Sequence, residues 1–96
     1  MEKTKREITF TSEYKKGLKL AKKQGKDMDA LKQVIKDLAN DVPLSKDKHD
    51  HQLSGSENKF CECHIQPDWL LKYYKAKDKL ILVLVSLGSH SRMFGK

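Results

Sequence analysis

The stretch FCECHIQPDWLLKYYKAKDKLILVLVSL, residues 60–87, decides the fold. It divides into three strand-like runs, Phe60–Ile65, Trp69–Lys75 and Leu80–Leu87, rich in the aromatic and branched residues that fit a pleated surface. Pro67–Asp68 makes a tight turn between the first two, and Lys77–Asp78 separates the second from the third. Leu80 to Leu87 is apolar at almost every position, which predicts a central strand covered on both faces. Side chains alternate along a strand, so Cys61, Cys63 and Ile65 share one face and Phe60, Glu62 and His64 the other.

Upstream the period changes. Glu7 to Phe10 reads as a short strand ended by Thr11–Ser12, with Ser12 as N-cap of a helix running to about Gln24. Tyr14, Leu18 and Ala21 form its apolar stripe, lysines cover most of the rest, and Gly25 suits the C-terminal cap. A second helix starts near Asp27, carries Met28, Leu31, Val34, Ile35 and Leu38 at helical spacing, and is closed by Pro43. Between the helices and the strands, LSKDKHDHQLSGSENK (44–59) is a long polar loop, and loops of that length in a small domain are often functional. The order β-α-α-β-β-β predicts an α+β fold: a small, mainly antiparallel sheet of about four strands with an N-terminal helical hairpin packed on one face. The 96 residues suffice for a single domain, 1–96, with one modest core.

Charge narrows the partners. Twenty Lys and Arg stand against 13 Asp and Glu, a formal net charge of +7, and only Arg6 and Arg92 are arginines. Such a balance favours an acidic partner: nucleic acid, an anionic membrane or an acidic protein. The charged start MEKTKREI has no apolar segment behind it, and Leu80–Val85 is far shorter than the ~20 residues of a membrane span. Two cysteines make no disulfide framework. The expectation is a soluble cytoplasmic protein with reduced thiols and no membrane partner.

The cysteines invite three readings. A zinc site can be drawn from Cys61, Cys63, His49 and His51, but C-x-C is poor ligand spacing and no second such pair exists. Redox chemistry lacks the helix N-terminus that lowers a thiol pKa. Small thiols on the core face is the favoured reading, with no metal and no cofactor. All four histidines, His49, His51, His64 and His90, fall in the loop or at strand ends, where convergence at one sheet edge would make an acid–base site.

DHQLSG (50–55), ECHIQPDWLL (62–71) and LGSHSRMF (87–94), in this order and spacing, resemble the YafQ-like branch of the RelE superfamily, the toxin halves of bacterial toxin–antitoxin pairs. The resemblance runs over nearly the whole chain and implies a RelE-like fold. It also implies a ribosome-dependent mRNA endonuclease that inhibits translation, with mRNA on the ribosome, ribosomal RNA and an acidic antitoxin as partners. Carried onto this sequence, the catalytic positions are His51, His64, Asp68 and His90, and Phe94 is the C-terminal aromatic. Trp69 also matches, while His49 has no counterpart and reads as solvated.

The implied reaction is metal-free. The ribose 2′-hydroxyl attacks the adjacent phosphate, one group takes its proton, and another protonates the departing 5′ oxygen, leaving a 2′,3′-cyclic phosphate. A histidine, with an ordinary pKa near ~6.5, fills either role near neutral pH, each transfer contributing about 10²–10⁴ in rate. Phe94 would stack on a base. Two positions depart from the family pattern: the arginine of the last strand is here Ser86, and the arginine before the acidic residue of the E-C-H segment is here Cys61. Arg92, or a lysine such as Lys72, is the candidate replacement. Ser86 therefore supports an alternative, a catalytically weakened toxin-like module that binds ribosomal RNA or an acidic antitoxin.

Overall fold

The computed structural model describes residues 3–89. Five strands, β1 (Glu7–Phe10), β2 (His51–Gln52), β3 (Cys61–Gln66), β4 (Trp69–Lys75) and β5 (Ile81–Gly88), form one sheet in the order β1-β5-β4-β3-β2. β1 pairs parallel with β5, and every other pairing is antiparallel. Helices α1 (Ser12–Lys23) and α2 (Met28–Ala39) pack on one face, giving the expected α+β architecture. The strand absent from the sequence reading is β2, whose two residues are too few to show a period.

Both helix starts are capped by side chains. Thr11, not Ser12, caps α1: its hydroxyl accepts from the Tyr14 amide at 3.1 Å and donates to the Val85 carbonyl at 2.6 Å, tying the helix start to β5. Asp27 caps α2 through the Ala30 amide. At the end of α1, Gly25 at φ +70° closes a paired-amide cap, its own N–H on Lys22 O and that of Lys26 on Ala21 O. α2 ends the same way with Asp41 at φ +57° in the left-handed position, so the helix stops before Pro43 reaches it.

The core lies between helices and sheet. Tyr14 and Ala21 of α1 and Leu31, Val34 and Leu38 of α2 meet Cys63, Ile65, Leu71, Tyr73, Leu82, Leu84 and Leu87. β5 is covered on one face only: Leu82, Leu84 and Leu87 are buried, whereas Ile81, Val83 and Val85 are only partly so. An apolar run thus came from a strand with helices on one side and the open sheet face on the other. α1 reaches β5 through Gly17, where a Cβ would stand 2.0 Å from the Leu87 carbonyl oxygen.

Candidate active site on the open sheet face

Strand register places four polar side chains in one row across the face opposite the helices. His51 of β2 pairs with Glu62 of β3, Glu62 with Lys72 of β4, and Lys72 with Ser86 of β5. Two irregularities make this row. The β3–β4 ladder shifts between His64 and Gln66, and the β4–β5 ladder shifts between Lys72 and Tyr73. Had the Gln66–Trp69 register continued unbroken, Tyr73 rather than Lys72 would face Glu62. Bulges commonly re-aim side chains beside functional sites.

Glu62 is the buried acid of the row, 5% exposed, and its Oε2 has no hydrogen-bond partner among the described residues. Its Oε1 lies 3.7 Å from His51 Nε2. His51 Nδ1 is 2.7 Å from the His49 carbonyl, which can only accept, so Nδ1 carries a hydrogen. A neutral His51 therefore presents the lone pair of Nε2 beside Glu62, and a protonated one presents N–H⁺ there. An unpartnered buried carboxylate beside an imidazole with one fixed nitrogen can accept a proton and pass it on.

The loop before β2 is held against the sheet by its neighbours. Tyr73, from the core side, donates its hydroxyl to Asp50 Oδ1 at 2.5 Å, and Lys48 Nζ donates to the Ile65 carbonyl at 3.2 Å. Burial, then the Asp50 carboxylate, pushes the Tyr73 phenol above its usual value, so it stays a donor. His49, left-handed at φ +48°, sets its ring 5.2 Å from that of His64. The residue read as solvated is exposed, yet it is the ring neighbour of His64.

The other sequence candidates fall elsewhere. Asp68 sits exposed in the two-residue turn between β3 and β4 and lines a hollow of about 300 Å³ with Gln24, Lys26, Trp69, Gly88 and Ser89, on the α1 side. Trp69 belongs to the core, 1% exposed. Ser86 is half-buried opposite Lys72. His90, Arg92 and Phe94 lie outside the described residues. The structure therefore joins His51 with Glu62 and His64 with His49, and gives Asp68 a separate hollow.

Glu62 is the member that sequence reasoning did not select, and Lys72 was named there only as a candidate replacement for the missing arginine. The alternation had placed Glu62 beside His64, which was the available signal. The place of Lys72 between Glu62 and Ser86 had none, because its register depends on both bulges. Around the row, Phe60 and Tyr74 make an edge-on ring pair at 5.6 Å, with Lys59 over both rings and Lys72 over Phe60. Beside them is a groove of about 410 Å³ lined by Gln52, Asn58, Lys59, Tyr74, Lys75 and Lys77. Aromatic faces interleaved with ammonium groups suit a single nucleic-acid strand.

Cys63 is fully buried and Cys61 half-buried, both free. Burial pushes the Cys63 thiol up to about 12 and raises Cys61 as well, the reverse of what thiolate chemistry needs. Among the described residues, no group of three or more His, Cys, Asp or Glu is placed to hold a metal ion.

Residues 6–95 match the model of a family described as the bacterial toxin of type II toxin–antitoxin systems, YafQ. The mRNA interferase toxin YafQ of Escherichia coli K12 is 41% identical over 91 residues, 94% of this chain and 97% of that protein. The E. coli DinJ–YafQ toxin–antitoxin complex contains a chain 38% identical, with TM-score 0.84 over 95% of this chain and 99% of that one. A metal-bound toxin from Helicobacter pylori is 40% identical, with TM-score 0.87 over 93% and 99% of the two chains.

Proposed function

The chain belongs to the YafQ family of bacterial type II toxins, and from that premise we propose that it is a ribosome-dependent mRNA endonuclease that arrests translation in the cytoplasm. The observation that carries the reading is the buried, half-unpartnered Glu62 facing His51 on the open side of the sheet. Cleavage proceeds by in-line attack of the 2′ oxygen on phosphorus, forming a 2′,3′-cyclic phosphate as the P–O5′ bond breaks. The Glu62–His51 pair takes the 2′ proton, and a second group, His64 or His90, delivers one to the 5′ oxygen. No metal enters, because both proton transfers are made by side chains. Asp68 orients a catalytic histidine or serves as base itself, Phe94 and Arg92 complete the substrate contacts, and Trp69, buried in the core, supports the turn beside Asp68. The +7 charge of the chain suits ribosomal RNA and an acidic antitoxin that wraps the basic surface, and a relative solved as a toxin–antitoxin complex supports an antitoxin partner.

The test is cleavage of an end-labelled mRNA on programmed ribosomes. Discrete cuts ending in cyclic phosphate are expected, with Glu62→Gln, His51→Ala and His90→Ala each slower by about 10²–10⁴. Wild-type cutting by Glu62→Gln would remove the pair from the mechanism. Intact mRNA at high concentrations of the unmodified protein would favour the second reading, a toxin-like binder, for which Ser86 at the expected arginine position is the supporting feature.

A further inference from the structure

We propose that Lys72 is the cation that holds the scissile phosphate, and that Glu57 occupies its ammonium in the free protein and yields it to RNA. The assignment rests on the ribonuclease reading for the identity of the anion. Lys72 stands in the middle of the polar row, in register with Glu62 on one side and Ser86 on the other. A phosphate on its ammonium therefore lies next to the pair that takes the 2′ proton. The lysine itself gives and takes no proton; it lowers the cost of charge building on the non-bridging oxygens as the P–O5′ bond breaks.

Four features fit a pre-positioned phosphate ligand. The side chain is 17% exposed, and its Nζ stands 4.6 Å from the Phe60 ring centroid, so the stem is packed and little rotamer freedom remains to be lost. Its ionic partner is Glu57, in the short turn Gly55–Glu57, which is 48% exposed. A pair with one such solvated member is weak, and a phosphate oxygen can replace the carboxylate while the ammonium keeps an anionic neighbour throughout. Several other cations already have partners: Lys48 on the Ile65 carbonyl, Lys75 on Asp41, and Lys59 over the Phe60 and Tyr74 rings. A bulge in each flanking ladder brings Lys72 into line with both Glu62 and Ser86.

Lys72→Met keeps the stem against Phe60 and removes the charge. On programmed ribosomes it should cut about 10²–10³-fold more slowly. Lys72→Arg should retain most activity, and Ser86→Arg added to Lys72→Met should recover about tenfold by returning a cation across the strand. Binding is read apart from chemistry, by titrating a 2′-O-methyl RNA oligonucleotide, which cannot be cleaved, at several salt concentrations. The salt slope should fall by about 0.7 in Lys72→Met, the loss of one phosphate contact on a single strand. Glu57→Gln should tighten binding by about threefold, as expected where a weak competing pair is removed. Full cleavage with an unchanged slope in folded Lys72→Met overturns the proposal and leaves the ribonuclease reading standing. A wild-type protein that cuts nothing overturns that reading instead, and the slope then decides Lys72 alone. Binding that Glu57→Gln leaves unchanged overturns the exchange. Should Lys72→Met melt early, Glu57→Gln and Lys72→Arg carry the same comparisons.

Discussion

Tyr73 joins the core to the loop that carries His51, since its ring is buried among the helices' partners and its hydroxyl ends on Asp50. Removing that hydroxyl leaves the packing alone and frees the loop. Tyr73→Phe should cost about 1–2 kcal/mol, toward the low end for a hydrogen bond to a charged group because Asp50 is exposed, and should raise amide exchange across residues 46–52 more than in β4. Equal exchange in both variants would mean that Lys48 and the β2 pairing already hold the loop. Cys63 supplies a second test. With its thiol pushed up to about 12 by burial and by the Asp50 charge, it should react with a thiol reagent at about pH 8 only as fast as the protein unfolds. Rapid labelling in the native state would contradict a scaffold role. Alternation along β3 was enough to sort the cysteines from His64 and Glu62. It could not pair Glu62 with Lys72, because a bulge inserts a residue that leaves no mark on the apolar pattern.

At the scale of elements, α1 packs closely on β5, and Gly17 permits it. A methyl group there would meet the backbone of Leu87, 2.0 Å from its oxygen, and backbone cannot swing aside as a long side chain can. Gly17→Ala should therefore destabilise by about 3 kcal/mol despite the higher helix propensity of alanine, at the upper end of overpacking costs. Denaturant melting measures it, and a neutral or stabilised variant would show that α1 can lift from the sheet. The helix itself was legible from Tyr14, Leu18 and Ala21 at helical spacing. Gly17 was not, since a glycine within a helical pattern looks like a tolerated weakness until its neighbour across the layer is known. The apolar run of β5 misled in the same way: it recorded hydrophobicity on both faces, while the helices cover only one.

Across the whole molecule, the pairing that adds the edge strand β1 joins it to β5, over a separation that no local pattern reports. Charge adds to the backbone ladder that makes this pairing. Asp41, at the end of α2, receives Arg6 Nε at 2.9 Å, Lys75 Nζ at 2.7 Å and Lys5 Nζ at 3.3 Å, linking the segment before β1, the second helix and β4. A carboxylate at a helix C-terminus is opposed by the helix dipole, so the three cations must outweigh it. Lys75 first, then Arg6, hold its pKa well below the ordinary carboxylate value. The sign follows: the unfolded chain takes up the proton first, so the stabilisation is complete above the ordinary aspartate pKa of about 3.9 and is lost as pH falls from there through the folded value. Asp41→Asn tolerates the left-handed backbone and removes only the charge. It should cost about 1 kcal/mol near pH 7, a modest figure because Asp41 is 26% and Lys5 57% exposed to water. Urea midpoints of the two proteins should converge as pH drops from about 5 to about 2 and should also converge in high salt. A gap that persists unchanged to about pH 2 would mean that the cations do not hold the carboxylate, and that the β1 edge rests on its backbone ladder and apolar packing.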